Sequence, residues 1–359
     1  MHLAHLRLRY FRNYPLLDVD FIPGFHLLAG PNAQGKTNLL EAIYLLATLR
    51  SFRGVGGAQM IRHGQKGYFV GATIVGQTEQ TVKMYWSIRE RNLALNGQPV
   101  RKLTDYWGTV RAVVFCTEDL LLVKGPARTR RRFLDLLLAQ TQPGYLPTLQ
   151  RYAQALRSRN ALLKQPAPDE TALEGFTREL ARLGAQIIQP RLDLLPRLAA
   201  LAQSAYRRIA ADTENLRLEY QPSVKQDMAV ELAQARARER QYRLTMIGPH
   251  RDDLQLLLND RPAGPFASEG QKRTVAIALK MAQAEYLTSL HGSPPILLID
   301  DVMGELDRQR RAGLLPLLEE AHQARSQVFM TCTEQNWPRE LGRALQGWQV
   351  HEGTLSPAA

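Results

Sequence analysis

"GPNAQGKTNLLEAIYLLA" occupies residues 30–47 and decides the fold. Gly30-Pro31-Asn32-Ala33-Gln34-Gly35-Lys36-Thr37 fits G-x-x-x-x-G-K-[ST]. An apolar run, "GFHLLAG", leads into it, and apolar residues at helical spacing follow. In that setting the glycines let backbone N–H groups point at phosphate oxygens, and the helix N-terminus adds partial positive charge. Lys36 then reaches the β- and γ-phosphates, and the Thr37 hydroxyl ligates Mg²⁺. A Gly-rich turn with no ligand is the bland alternative, and the strand-loop-helix context argues against it.

A P-loop needs a distant carboxylate to hold its metal. "PPILLIDDV" (294–302) supplies one, an apolar strand ending in Asp300 and Asp301. Asp300 is the expected metal residue, and Asp301 is placed to orient or deprotonate the attacking water. The 263 residues between Lys36 and Asp300 predict a head built from both ends of the chain with a large insertion between them. Shortly before that strand lies "FASEGQKRTVAIALK". Ser268 and Gln271 have the spacing of a capping box. A Ser hydroxyl, Gly270 and a fresh helix N-terminus also make an anion site.

The rest of the chain reads around these motifs. "HLRLRYF" alternates as a strand. Short alternating segments from about 66 to 115, ending in "VRAVVFC", predict an antiparallel sheet with a tight hairpin at "LNGQ". From about 124 to 240 helix-forming residues dominate, with a long stretch bent or broken at Pro190 and Pro196. This region reads as a helical arm of roughly 30–50 Å. Strand patterns return at "YRLTMIG" and "DLQLLLNDRP"; helix and strand then alternate through "PPILLIDDV" and "QVFMTCT" to a closing helix and short strand. The predicted fold is α/β: an ATPase head with a mixed sheet and an antiparallel subdomain, in halves 1–123 and 241–359 around the arm at 124–240.

The 359 residues carry 46 Lys+Arg against 34 Asp+Glu, a net charge of +12, and only nine of the 46 are lysines. An Arg-rich excess suits a polyanion partner. The run Lys124, Arg128, Arg130, Arg131, Arg132 is the expected DNA contact, because cations at a helix start oppose its dipole. "GPHRDD" (248–253) reads as an Arg–Asp network rather than a His–carboxylate site. Cys116 and Cys332 sit in separate apolar runs, with neither disulfide nor zinc spacing, which suits a reducing cytoplasm. The start lacks a signal-peptide core and no run is long enough for a membrane helix.

The order of P-loop, helical insertion, Ser-x-Gly-Gln, "LLIDDV" and Gly304-Glu305-Leu306-Asp307 resembles the ABC-class ATPase heads of SMC-type DNA-repair proteins. It is similar above all to the RecF family of recombination-mediator ATPases, through "YFRNY" (10–14), "FCTEDLLLVKGPARTRRRFLD" (115–135), "LQRYAQALRSRNALLK" (149–164) and "IGPHRDDL" (247–254). The resemblance covers nearly the whole chain. It implies an ATP-dependent homodimer in which each ATP meets one protomer's P-loop and the other's Ser268, Gly270 and Gln271, with Asp307 between the sites. It implies DNA binding near single-strand/double-strand junctions, and RecO and RecR as partners in loading RecA. Departures are Asp301 where most heads carry Glu, which predicts slow hydrolysis, and Thr331 and Thr333 near the usual switch His. Glu118 is the candidate for the Gln-loop position. The rival readings are an SMC-like structural DNA clamp without mediator partners and a metabolic P-loop kinase.

Overall fold

A computed structural model describes residues 1–210, 214–323, 326–333 and 345–358. The chain opens with β1 (His2–Phe11), β2 (Tyr14–Asp20), β3 (Gly24–Ala29) and α1 (Lys36–Thr48). Strands β4 (Gly67–Val75), β5 (Glu79–Ser87), β6 (Arg91–Leu95), β7 (Gln98–Pro99) and β8 (Ala112–Phe115) follow. Next come α2 (Leu121–Lys124), α3 (Ala127–Thr141), α4 (Tyr145–Leu163), α5 (Glu170–Ile209), β9 (Leu216–Gln221) and α6 (Met228–Tyr242). Then run β10 (Asp253–Leu258), β11 (Arg261–Pro262), α7 (Ala263–Phe266) and α8 (Glu269–His291). The last elements are β12 (Ile296–Ile299), α9 (Val302–Glu305), α10 (Arg308–Gln323), β13 (Gln327–Cys332), β14 (Leu345–His351) and β15 (Thr354–Pro357). They form two units, 1–119 with 204–212 and 274–359, and 120–203 with 213–273.

The first unit holds two sheets. One is antiparallel, in the order β2-β1-β4-β5-β6-β7. The other is mixed, β15-β14-β3-β13-β12-β8, with β15 alone antiparallel to its neighbour. Along β1, Leu6 and Leu8 are buried while Arg7 and Arg9 are exposed, the period-two pattern of a sheet with one face in a core. From Leu39 to Thr48, α1 is buried on every side. It shares one apolar cluster with Leu6 and Val70 of the antiparallel sheet and Leu28, Leu298 and Phe329 of the mixed one. That explains why its sequence is apolar all round rather than striped.

Four expectations need correcting. "VRAVVFC" does not join the antiparallel sheet: β8 pairs parallel with β12. Its four residues are all buried, the mark of a strand covered on both faces. Helix α5 is not broken at Pro190 or Pro196; it runs 40 residues, about 60 Å, through both. Leu180, Leu183, Ile187, Leu194 and Leu198 are buried at helical spacing. At about 1.5–3 kcal/mol each, they outweigh roughly 3 kcal/mol per proline. "LRLEYQ", within the region read as helical, is strand β9, paired antiparallel with β10. "YRLTMIG" is no strand: Tyr242 ends α6, Arg243 turns left-handed (φ 54), and the Met246 N–H donates to Glu239 at 2.7 Å. The closing helix expected before the last strands lies outside the described residues. No helix among those described is long and apolar enough to cross a membrane.

Buried charge organises the second unit. Arg191 donates to Asp135 (2.8 Å), to Tyr220 (3.2 Å) and to the Pro249 carbonyl (2.9 Å), and pairs with Asp252 at 3.5 Å. Arg159 reaches Glu239 (2.6 Å), Thr245 (2.8 Å) and Thr177 (3.0 Å). Every guanidinium direction has an acceptor, as a buried cation requires.

A buried neutral ring, His26, links elements of the mixed sheet in the first unit. Its Nε2–H donates to the Ile22 carbonyl (2.7 Å), its Nδ1 accepts from Trp348 (3.1 Å), and its ring stacks on Phe329. Burial pushes its pKa from 6.5 down to about 4. The unfolded chain binds this proton near 6.5 and the folded one only near 4, so stability is full above that window and lost on acidification through it. The unfolding free energy from urea titration should fall between pH 7 and pH 4, by as much as about 3 kcal/mol from this group. The His26→Phe variant should show a flatter dependence.

Candidate nucleotide site

The phosphate loop sits at the carboxyl end of β3, where ligands lie in open α/β sheets. Gly30 is left-handed (φ 144), and a Cβ there would meet the Val350 carbonyl oxygen at 2.5 Å. Gly35 (φ 118) caps α1, and a Cβ there would meet the Asn13 amide at 2.7 Å. Both positions therefore demand glycine. Lys36 curls over the loop and donates to the carbonyls of Gly30 (2.5 Å) and Pro31 (2.8 Å). Burial lowers its pKa, and the charges of Asp301, Cys332 and Asp300 oppose that.

Thr37 donates its hydroxyl to Asp300 at 2.9 Å. The Thr331 hydroxyl donates to the same carboxylate oxygen (3.1 Å) and accepts the Asp301 N–H (2.9 Å). Burial raises the Asp300 pKa, while the two hydroxyl donors pull it down and the charges of Glu118 and Asp301 push it up. Asp301 itself is exposed and left-handed (φ 56), a conformation that a side chain adopts at a cost. Lys36, Thr37, Asp300 and Asp301 thus converge in one unit, with Thr331 between them and exposed Glu118 near enough for its charge to act. A hydroxyl beside a buried carboxylate suits Mg²⁺, which keeps most of its ligands as water and phosphate.

Ser268, Gly270 and Gln271 belong to the second unit. There the capping box is formed: the Ser268 N–H donates to Gln271 Oε1 (2.7 Å) and the Gln271 N–H to Ser268 Oγ (3.2 Å). Asp307 caps α10, accepting the Arg310 N–H at 2.8 Å. Of the basic residues at 124–132, Lys124, Arg130 and Arg131 have partners within their own unit. Arg130 grips Asp253 with two bonds (2.7 and 2.8 Å), Arg131 donates to the Asp252 carbonyl and Lys124 pairs with Glu269. Arg128 is exposed.

Residue-by-residue reading missed the clamp on the loop. Asn13, in the β1–β2 turn, donates to the Gln34 carbonyl (2.8 Å) and accepts from Asn38 (2.8 Å). From the β14–β15 turn, the Glu352 N–H reaches the Gln34 side chain (2.8 Å) and the Gly353 N–H the Gln34 carbonyl (3.1 Å). Arg12 forks onto fully buried Glu41 of α1, with two bonds of 2.7 Å. Ser51 also donates to Glu41, and its oxygen accepts the Arg53 N–H (3.1 Å). Arg12, Arg53, Arg62 and His63 line an open cleft of about 830 Å³ beside Ala33 and Gln34. The only signal for this was "YFRNY", and its meaning lay in the turn it forms.

Strand, phosphate loop and Asp-Asp strand end define a P-loop nucleotide-binding head of the ABC type. Residues 2–355 match the family model of the RecF/RecN/SMC N-terminal domain. The DNA replication and repair protein RecF of Symbiobacterium thermophilum is 39% identical over 95% of both chains. That of Lactobacillus johnsonii is 37% identical over 99% of both. A solved structure of the recombination mediator RecF with ATP, in the RecFOR pathway, superposes with a TM-score of 0.90 at 29% identity, covering 100% of this chain and 98% of that one. A Smc head from Pyrococcus furiosus shares the fold at 16% identity and a TM-score of 0.57, with 99% and 96% coverage. The chain belongs to the RecF family.

Glu41→Ala strands the half-buried Arg12 guanidinium. It should cost about 3 kcal/mol of stability in urea unfolding. Arg12→Ala and the double variant should cost less than the sum of the singles, because one interaction is removed twice.

Proposed function

We propose that this chain is an ATP-driven DNA-binding repair ATPase in which nucleotide controls head dimerisation on DNA. The observation that carries this reading is the 2.9 Å contact between Thr37 and Asp300, which joins a P-loop to an Asp-Asp strand end. In the proposed mechanism, Lys36 leaves the loop carbonyls for the β- and γ-phosphates, and backbone N–H groups of residues 30–37 cradle them. Thr37 and Asp300 hold Mg²⁺, which neutralises developing phosphate charge when bound. Asp301 orients the attacking water. As the shorter carboxylate, it sets a slow turnover, suited to a switch.

Ser268, Gly270 and Gln271 serve the partner protomer's nucleotide, and Asp307 lies between the two sites. The RecF relatives, named for DNA replication and repair and solved with ATP in the RecFOR pathway, support DNA as the target and RecO and RecR as partners; action at gaps to load RecA is our reading of that role. The net charge of +12 supports a polyanion ligand, met by the run Lys124, Arg128, Arg130, Arg131 and Arg132, of which Arg128 is exposed. The cytoplasm is the compartment this role requires.

Lys36→Met should abolish nucleotide binding, while Asp301→Asn should keep binding and slow hydrolysis by at least about a hundredfold. Wild-type turnover by Asp301→Asn would remove that carboxylate from the mechanism. Ser268→Arg alone should bind ATP and fail to hydrolyse it. Mixed with Lys36→Met, it should regain activity, since the heterodimer holds one intact composite site. Persistent inactivity of demonstrated heterodimers would argue against action in trans.

A further inference from the structure

The tip of the β5–β6 hairpin has no part in the nucleotide chemistry. Ile88 there is 81% exposed, the highest value among the large apolar side chains of the described residues. The turn is not loose. Buried Ser87 donates its N–H to the Glu90 carbonyl (2.8 Å), and its hydroxyl oxygen accepts the N–H groups of Arg89 (3.3 Å) and Glu90 (3.0 Å). A tight turn closed this way asks for Gly, Asn, Asp or Ser at its tip, and a β-branched apolar residue serves no local need.

Cations surround the tip. Lys66 precedes Gly67, which pairs with Ser87 across the ladder. Arg89 follows Ile88, and the side chains of Lys66 and Arg89 are exposed with no ion-pair partner among the described residues. Arg91 lies over the Trp86 ring at 5.5 Å, and Trp86 stacks on Tyr68 with an interplanar angle of 10°. The one carboxylate of the tip, Glu90, accepts from Asn92 at 2.7 Å. A rigid hairpin therefore presents an apolar point flanked by two unpaired cations, backed by a third that an aromatic stack holds in place.

We propose that this hairpin tip is a DNA wedge: Ile88 abuts an exposed base step, and Lys66 and Arg89 take the flanking phosphates. Charge complementarity selects DNA over a protein surface, and apolar side chains inserted between base steps unstack and kink a duplex. The proposal rests on the DNA-binding reading above. It adds the surface that contacts DNA, and it predicts a preference for interrupted DNA, because unstacking costs least where a base is already single-stranded.

The test compares wild type, Ile88→Ser, Ile88→Leu and the double variant Lys66→Ala/Arg89→Ala, each with ATP. The DNAs are a blunt duplex and a gapped duplex of equal length carrying 2-aminopurine at the junction base. Ile88→Ser should lose about tenfold in affinity for the gapped DNA, little for the blunt one, and should abolish the fluorescence rise that reports unstacking. Ile88→Leu should retain both. The double variant should weaken binding to both DNAs and reduce the salt slope by about two. DNA-free ATP hydrolysis should be unchanged in all three. Wild-type gap affinity and fluorescence from Ile88→Ser would overturn the wedge and leave the DNA-binding reading intact. Loss of a self-association instead of DNA affinity would also overturn it. A wild-type protein that binds neither DNA would overturn both.

Discussion

One hydrogen bond, from the Thr37 hydroxyl to the Asp300 carboxylate, depends on almost everything else in the first unit. The two residues follow β3 and β12, which are not neighbours; β13 lies between them. The gap between these strand axes is two ladder spacings, about 10 Å, and side chains at the strand ends close it. Thr331, at the end of the intervening strand, fills the middle with a hydroxyl that donates to Asp300 and accepts from Asp301. Strand order thus gives a threonine the place beside the Asp300 carboxylate. It also explains why the insertion between β8 and β12 is tolerated: the sheet needs those strands parallel and adjacent, whatever the length of chain connecting them.

The buried charges follow a common logic. Glu41, Arg159 and Arg191 are each inaccessible to solvent, and each is saturated with partners from segments distant in sequence. Such groups contribute little net stability over an apolar equivalent. They penalise any arrangement that leaves them unpaired. In the first unit, Glu41 ties the phosphate-loop helix to both Arg12 and the Ser51 turn. In the second, Arg191 ties α3 to α5 and to the segment before β10. The run at 124–132, which a charge count assigns to a ligand, is in part this kind of internal scaffolding.

The P-loop, the Asp-Asp strand end and the capping box were legible because each is local: a few residues whose types and spacing have one physical use. The alternation of β1 and β5 and the hairpin turn at Asn96-Gly97 were legible for the same reason. β8 was misassigned because a short apolar run does not reveal its partner, and its partner lies 184 positions on, Ile296 facing Ala112. Pro190 and Pro196 do not break α5, since local propensity yields to a long buried stripe. Asn13 was invisible for a different reason: its role is to hold a carbonyl of Gln34, a contact set by a turn rather than by spacing. The pairing of Arg130 with Asp253 likewise exists only in the folded unit.

The β14–β15 turn donates two backbone N–H groups to Gln34, and the Val350 carbonyl lies against Gly30. Residues 345–353 therefore form one wall of a loop that the ribosome makes more than 300 residues earlier. At about 5–20 residues per second, at least about fifteen seconds of synthesis separate the loop from its wall. During that interval β3 lacks the neighbour β14, and the glycine loop lacks the contacts that fix its curvature. The loop's curvature is therefore completed only when the last strands pair, so its final shape is a property of the whole head and not of the segment that carries the motif.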